Sequence, residues 1–290
     1  MVDLHTHSTS SDGELSPADL IREAAAQGLS AVALTDHDTI NGIINARNEA
    51  ALHGIRFIPG IELEIHWEPP RGITGLGPGG EFHLLGLGIG HPSPAFLDGI
   101  AELARRREER NREILEKMRE LGVEADYEEI RALSGGHSVG RPHFASLLVK
   151  RKIVRNRNQA FARYLGAGKP FYVPKGGLDF EKAAALIRES GGLPVLAHPM
   201  SLYVAWGRLP DLVKSLQDRG LGGIEAWHPT AKVQSCRRLE ELGKALGLYI
   251  TAGSDFHGSL RPERRLGITA GGRRIEDSVL EAIGPLTVES

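Results

Sequence analysis

Histidines and carboxylates recur in this chain at the ends of short apolar runs, a placement that suits metal ligation. His5 and His7 stand two residues apart in Asp3-Leu4-His5-Thr6-His7; on a strand such residues share a face, so both imidazoles can reach one ion. Asp12 follows in the next loop, close enough to add a carboxylate. His37 closes the buried run Ala31-Val32-Ala33-Leu34 within Thr35-Asp36-His37-Asp38. The pattern repeats with Glu62 in Pro59-Gly60-Ile61-Glu62, His83 in Phe82-His83-Leu84-Leu85, and His198 in Leu196-Ala197-His198-Pro199. It closes with Asp255 and His257 in Gly253-Ser254-Asp255-Phe256-His257. Each motif alone also fits an ordinary polar residue. The recurrence carries the argument, because burying so many ionisable groups without charge partners costs several kcal/mol each. Divalent cations supply that compensation, and six histidines with three carboxylates suffice for two or three of them. Nitrogen and oxygen donors without thiolate suit Mn²⁺, Fe²⁺ or Zn²⁺ better than Ca²⁺ or Mg²⁺, and of these we expect Mn²⁺.

Such groups need a scaffold that gathers strand ends. Apolar, β-branched runs near 2–6, 31–35, 56–64, 81–88, 193–198, 223–227 and 248–253 alternate with helical segments, which predicts an α/β fold built on a mainly parallel sheet or barrel. In barrels of that kind the C-terminal ends of the strands carry the chemistry. The first helix is well marked: Ser16 caps it, Pro17 suits its first position, Asp19 completes a capping box and Gly28 ends it. The connection between the fourth and fifth strands runs about 100 residues, too long for a plain crossover. We read it as a helical insertion, 96–175, between barrel parts 1–95 and 176–290, with helices near 96–121, 126–134, 141–151 and 158–165. The insertion holds 17 Lys/Arg against 11 Asp/Glu, a net of +6, which leaves −8 for the rest of a chain whose net charge is −2. Its arginine-dense runs, Arg105-Arg106-Arg107 and Lys150-Arg151-Lys152, read as solvated helical faces. Segment 68–80, rich in Pro and Gly, and segment 258–265, rich in arginine, read as mobile loops able to act as lids.

Composition narrows the function classes. A net charge of −2 and a pI near 6.6 provide no global field toward nucleic acid or anionic membrane, so any polyanion must be bound locally. The single cysteine, Cys236, excludes an internal disulfide and a multi-cysteine zinc site, and fits a reducing compartment. The N-terminus shows no secretory pattern and no run of 18 apolar residues occurs, so we expect a soluble, cytoplasmic protein that needs neither a membrane nor an obligate protein partner. There is no Gly-X-Ser-X-Gly elbow, and Gly166-Ala167-Gly168-Lys169 lacks the leading glycine and the Ser/Thr of a phosphate-binding loop, so a covalent serine or cysteine route is not expected.

Taken in order, Leu4-His5-Thr6-His7-Ser8, Ser11-Asp12-Gly13, Leu34-Thr35-Asp36-His37-Asp38, Gly60-Ile61-Glu62, Ala197-His198-Pro199 and Gly253-Ser254-Asp255-Phe256-His257 resemble the polymerase-and-histidinol-phosphatase (PHP) family, from residue 1 to about 270. The resemblance implies a distorted seven-stranded β/α barrel, a trinuclear metal site, and metal-dependent phosphoesterase activity. It makes all nine residues, His5, His7, Asp12, His37, Glu62, His83, His198, Asp255 and His257, metal ligands, with Glu62 bridging two ions. The insertion, together with Gly140-Arg141-Pro142-His143 and Tyr172-Val173-Pro174-Lys175, is similar to the subgroup that removes the 3′-phosphate of nucleoside 3′,5′-bisphosphates, some members of which also trim short RNA from its 5′ end.

Arg141 and Lys175 then become candidates to hold a second phosphate, His143 a further donor to it, and His228 a group that touches substrate or protonates the leaving oxygen. Asp255 and His228 are the candidate catalytic residues, with ion-activated water as nucleophile. Glu225 and Trp227 read as structural. The expected partner is a phosphorylated small molecule, a nucleotide by the subgroup resemblance, or a short single-stranded RNA. Two rival readings remain: a histidinol-phosphate phosphatase on the same scaffold, and a metal-stabilised binding module without turnover.

Overall fold

The computed structural model describes residues 1–67, 80–134, 139–174 and 176–282. Most of the Pro/Gly-rich segment, 68–79, and Lys175 lie outside the described residues. Seven strands stand side by side in chain order: β1 (Val2–Asp3), β2 (Ala31–Leu34), β3 (Arg56–Glu64), β4 (His83–Leu87), β5 (Leu193–Leu196), β6 (Gly223–Trp227) and β7 (Tyr249–Ala252). The ring nearly closes where the chain leaves β1 and β7. Leu4 N–H donates to the Ala252 carbonyl, Asp255 N–H to that of His5, and His7 N–H to that of Phe256. This is the distorted seven-stranded barrel with surrounding helices.

The helices are α1 (Pro17–Ala26), α2 (Ile43–His53), α3 (Pro94–Glu120), α4 (Tyr127–Leu133), α5 (Arg141–Lys150), α6 (Arg157–Ala160), α7 (Phe180–Glu189), α8 (Leu209–Asp218), α9 (Val233–Ala245) and α10 (Ser278–Ala282). At the start of α1, Ser16 Oγ accepts from Asp19 N–H at 3.1 Å, the cap that the sequence predicts. Strand alternation then divides the core. Ala31 and Ala33 of β2 point inward to meet Val2, Leu4, Leu85, Leu87, Val195, Ala197 and Ala252. Val32 and Leu34 point outward against Leu20, Ile21 and Ala24 of α1 and Ala46 and Ala50 of α2. Small residues on the inner face let a seven-stranded ring fill its own interior. Each large apolar side chain buried this way contributes about 1.5–3 kcal/mol.

The sheet is mainly parallel, as expected, with one strand reversed. β1 to β3 are parallel, as are β5 to β7, but β4 runs antiparallel to both neighbours, with Glu64 opposite His83 and Leu84 opposite Leu196. His83 is therefore the first residue of its strand, yet it lies level with the C-terminal end of β3. A run of apolar residues predicts a strand but is blind to its direction.

The chain divides into two compact units, Met1–Ile100 with Gly177–Ser290, and Ala101–Gly176, so the division falls inside α3. The second unit has its own core, built from Ile114, Met118, Ile130, Phe144, Leu147, Leu148 and Phe171. The exposed side of α3 is laced by pairs four residues apart, Arg105 with Glu109 at 2.6 Å and Arg112 with Glu108 at 2.6 Å, each worth about 0.3–0.5 kcal/mol. Segment 258–265 forms successive turns. Arg261 N–H donates to the Gly258 carbonyl, Arg264 N–H to the Arg261 carbonyl, and Ser259 N–H to Glu14. Cys236 is buried on α9, where burial pushes its thiol up. Among the described residues, no helix is long and apolar enough to cross a membrane.

Candidate metal centre

β1 ends at Asp3, and beyond a bend at Leu4 the chain carries His5 and His7 on either side of Thr6, which bridges to Phe256, a path held by the buried Asp3 carboxylate. That group accepts the N–H bonds of His5 (3.3 Å), Ser254 (2.9 Å) and Gly267 (2.8 Å), and burial still pushes its pKa up to about 6. Gly253 allows the close approach of the two strand ends, since a Cβ there would lie 2.2 Å from the His5 Cβ. Asp36, also buried, accepts from Ser8 N–H (2.8 Å), Ser8 Oγ (2.6 Å) and Ser11 Oγ (2.6 Å), and so shapes the loop that carries Asp12.

Glu62 sits at the middle of the barrel mouth. Its Oε2 lies 3.3 Å from His5 Nε2, 3.2 Å from His7 Nε2 and 3.1 Å from His37 Nδ1; its Oε1 lies 2.8 Å from both His83 Nδ1 and His198 Nε2. Five imidazoles from four places in the sequence thus meet one carboxylate. Asp255 Oδ1 stands 3.6 Å from His5, 3.2 Å from His7 and 3.4 Å from His257, while Asp12 Oδ1 stands 3.3 Å from His257 Nε2. Donor atoms within 4.8 Å of one another fall into four groups that could each hold an ion: His7, Asp12, His37 and His257; His5, His7 and Asp255; His5, Glu62 and His198; His37, Glu62 and His83. All nine residues singled out as ligands in the sequence come together. His198 (φ 28°) and Asp255 (φ 51°) hold backbone angles that are costly for non-glycine residues, a strain met at functional sites.

The donors suit a cation rather than one another. His7 Nδ1 is buried without a hydrogen-bond partner among the described residues. Ser201 Oγ donates its one proton to the Glu81 carbonyl at 2.9 Å, so it accepts from His198 Nδ1 at 2.8 Å. The neutral His198 ring then aims a lone pair from Nε2 at a carboxylate oxygen, an arrangement that positive charge must relieve. Burial, outweighing the Glu62 contact, holds His198 below its ordinary range, which keeps the ring neutral. His37 is lowered to about 4 by burial. For His7, burial works downward, but hydrogen bonds and charge from Asp255 and Glu62 raise it to about 9. Carboxylates at His5 and His83 likewise overcome burial and lift both rings well above the usual value. Burial pushes Asp12, Glu62 and Asp255 upward, yet the surrounding imidazoles hold all three well below the usual range.

Several contacts escape sequence reasoning. Glu225, read there as structural, is fully buried, with Oε1 3.0 Å from His5 Nδ1 and Oε2 accepting His198 N–H at 2.7 Å. A register shift between β6 and β7 falls just after it. Glu64 Oε2 lies 3.2 Å from His83 Nε2. Such outer carboxylates orient metal-ligating imidazoles and fix their tautomers. His228 accepts Thr230 N–H on Nδ1 (3.3 Å), which leaves its proton on Nε2, 3.1 Å from Asp255 Oδ2. Arg264 also reaches Asp255. No local spacing marks Glu225, Glu64 or Arg264, since each finds its partner only through the fold.

Of the expected substrate residues, His228 belongs to the first unit and Arg141 and His143 to the second, while Lys175 lies outside the described residues. Arg141 opens α5, with its guanidinium 5.9 Å from the Tyr172 ring centroid. His143 Nδ1 accepts Gly140 N–H at 3.0 Å, closing the start of the same helix, so its ring proton is on Nε2.

Comparison with known proteins agrees with this geometry. The family model described as the PHP domain matches residues 3–169. A 5′-3′ exoribonuclease from Haemophilus influenzae is 36% identical over 255 residues, 88% of this chain and 89% of the relative. A 3′,5′-nucleoside bisphosphate phosphatase from Chromobacterium violaceum is 32% identical over 269 residues, 92% of this chain and 91% of the relative. Among solved structures, an amidohydrolase from Chromobacterium violaceum with bound sulfate matches with a TM-score of 0.82 and 30% identity, covering 97% of this chain and 96% of that one. A Bifidobacterium adolescentis structure shares the fold, with a TM-score of 0.83 at 24% identity, covering 99% of this chain and 96% of that one.

Proposed function

This chain belongs to the PHP domain family, and from that premise we propose that it hydrolyses phosphomonoesters of nucleotides, removing the 3′-phosphate of nucleoside 3′,5′-bisphosphates and trimming short RNA from the 5′ end. As a family member it is a hydrolase, a metal-dependent phosphoesterase. The observation that carries the reading is the Glu62 carboxylate with five imidazoles within 3.3 Å of its two oxygens, a concentration of donors that suits more than one cation.

Two or three divalent ions, Mn²⁺ foremost, would be held by the nine residues, with Glu62 shared between ions. Bound there, they would lower the pKa of water toward about 7 and neutralise phosphate oxygens. The chain's own groups do the rest. Glu225 and Ser201 hold His5 and His198 in the tautomers that face inward. His228, whose Nε2 proton points to Asp255 Oδ2, is the group we assign to protonate the departing oxygen. Arg141, Lys175 and His143 are assigned to the second phosphate of the substrate, which matches the basic character of the insertion.

The test is phosphate release with Mn²⁺ from adenosine 3′,5′-bisphosphate, histidinol phosphate and a 5′-phosphorylated oligoribonucleotide. We expect turnover of the bisphosphate and the oligoribonucleotide, lost in Asp255→Ala. Preferred turnover of histidinol phosphate would move the substrate assignment, and a folded, metal-loaded chain inert on all three would reduce it to a binding module.

A further inference from the structure

We propose that Arg264 is a phosphate-holding residue of this site, a role that rests on the phosphoesterase reading. Its side chain is 10% exposed, and its guanidinium donates to Asp255 Oδ2 and, at 3.4 Å, to the Asp255 carbonyl. The turns of segment 258–265 deliver it there. Its Nε is buried and has no hydrogen-bond partner among the described residues; the nearest charge, Glu263 Oε1, is 3.9 Å away.

The two oxygens of Asp255 face different company. Oδ1 looks into the histidine cluster, toward His5, His7 and His257, whereas Oδ2 is shared by Arg264 and the Nε2 proton of His228. One edge of the cluster therefore carries a permanent cation beside a neutral donor, both aimed at the side of Asp255 turned away from the ligand atoms. A buried guanidinium needs an anionic partner. Once Asp255 shares its charge with divalent ions, its hold on Arg264 weakens, and the guanidinium and the ions repel one another unless an anion bridges them. A phosphoryl group is the anion this site is read to take. A planar guanidinium offers a fork of parallel N–H groups to two phosphate oxygens, which a lysine cannot copy. The unpaired Nε–H supplies a donor that Asp255 does not use.

The experiment measures binding of inorganic phosphate by calorimetry to the Mn²⁺-loaded full chain and to Arg264→Gln and Arg264→Lys, with Mn²⁺ content determined in each. We expect phosphate affinity to fall tenfold or more in the Gln variant and by less in the Lys variant, Mn²⁺ content to match the wild type, and KM for the bisphosphate to rise. Phosphate affinity within twofold of the wild type in both variants would overturn the proposal. So would loss of Mn²⁺ from both, which would make Arg264 a brace for Asp255. A wild type that binds phosphate through Arg264 but hydrolyses no phosphoester would overturn the proposed function and leave this inference standing.

Discussion

Glu225 decides how two of the histidines present themselves. It takes the Nδ1 proton of His5 and the backbone N–H of His198, so both rings turn their Nε2 atoms toward Glu62. Changing Glu225 to Gln keeps the shape and removes the charge; by analogy with other outer-sphere carboxylates, metal affinity should fall about 10–100-fold. Titration of the metal-free variant with Mn²⁺ reads this directly, and unchanged affinity would return Glu225 to a packing role. Acidity acts on the same atoms. In the metal-free chain His7 keeps its proton up to about pH 9, whereas His37, lowered to about 4, has already lost its own at neutral pH. An ion arriving at pH 7 must therefore displace the His7 proton, and affinity should rise between pH 7 and pH 9. Calorimetry in two buffers of different ionisation heat should register net proton release at pH 7; an affinity that does not change with pH over that range would contradict the assignment. Eight of the nine cluster residues were legible in the sequence because each lies in or at the end of an apolar run in a recurrent motif, and Asp12 because it follows the His5 and His7 motif in the next loop. Glu225, Asp36 and Arg264 were not. The partners of Glu225 lie 220 and 27 residues away and those of Asp36 28 and 25, by routes that only the barrel supplies, while the step of 9 residues from Arg264 to Asp255 looks like any loop contact.

Among the elements, the junction of β1 and β7 bears most on function. Gly253 is needed because the two strand ends nearly touch. An added methyl would meet His5 Cβ at 2.2 Å, Glu225 Oε1 at 2.8 Å and His5 N at 3.0 Å, two of them parts that cannot swing aside. Gly253→Ala should lower stability by about 1–3 kcal/mol, the usual cost of overpacking, and should weaken Mn²⁺ binding as His5 shifts. Thermal melting with and without Mn²⁺ separates the two effects; a variant that melts and binds like the wild type would show that the junction is looser than the geometry implies. The elements themselves were readable from sequence. The seven apolar runs became the seven strands, and Ser16, Pro17 and Asp19 marked the start of α1 as expected. The direction of β4 was not, because alternation of apolar residues is the same read forward or backward. Direction comes from which mouth His83 must reach, and His83 opens its strand opposite Glu64.

Over the whole molecule, a barrel with an acidic balance carries a basic insertion of net +6. The division suits the proposed activity: carboxylates and imidazoles able to hold cations lie in the barrel, and on our proposal arginines and lysines of the insertion would offer countercharge to a phosphorylated substrate. The central claim is that the nine residues hold several ions in common, with Glu62 between them. Equilibrium dialysis of the metal-free chain and of Glu62→Gln against Mn²⁺, followed by elemental analysis, tests it most directly. The account predicts two or three ions bound by the wild type and fewer by a Glu62→Gln variant whose circular dichroism is native. A wild type that binds no ion, or a variant that binds as many as the wild type, would contradict it.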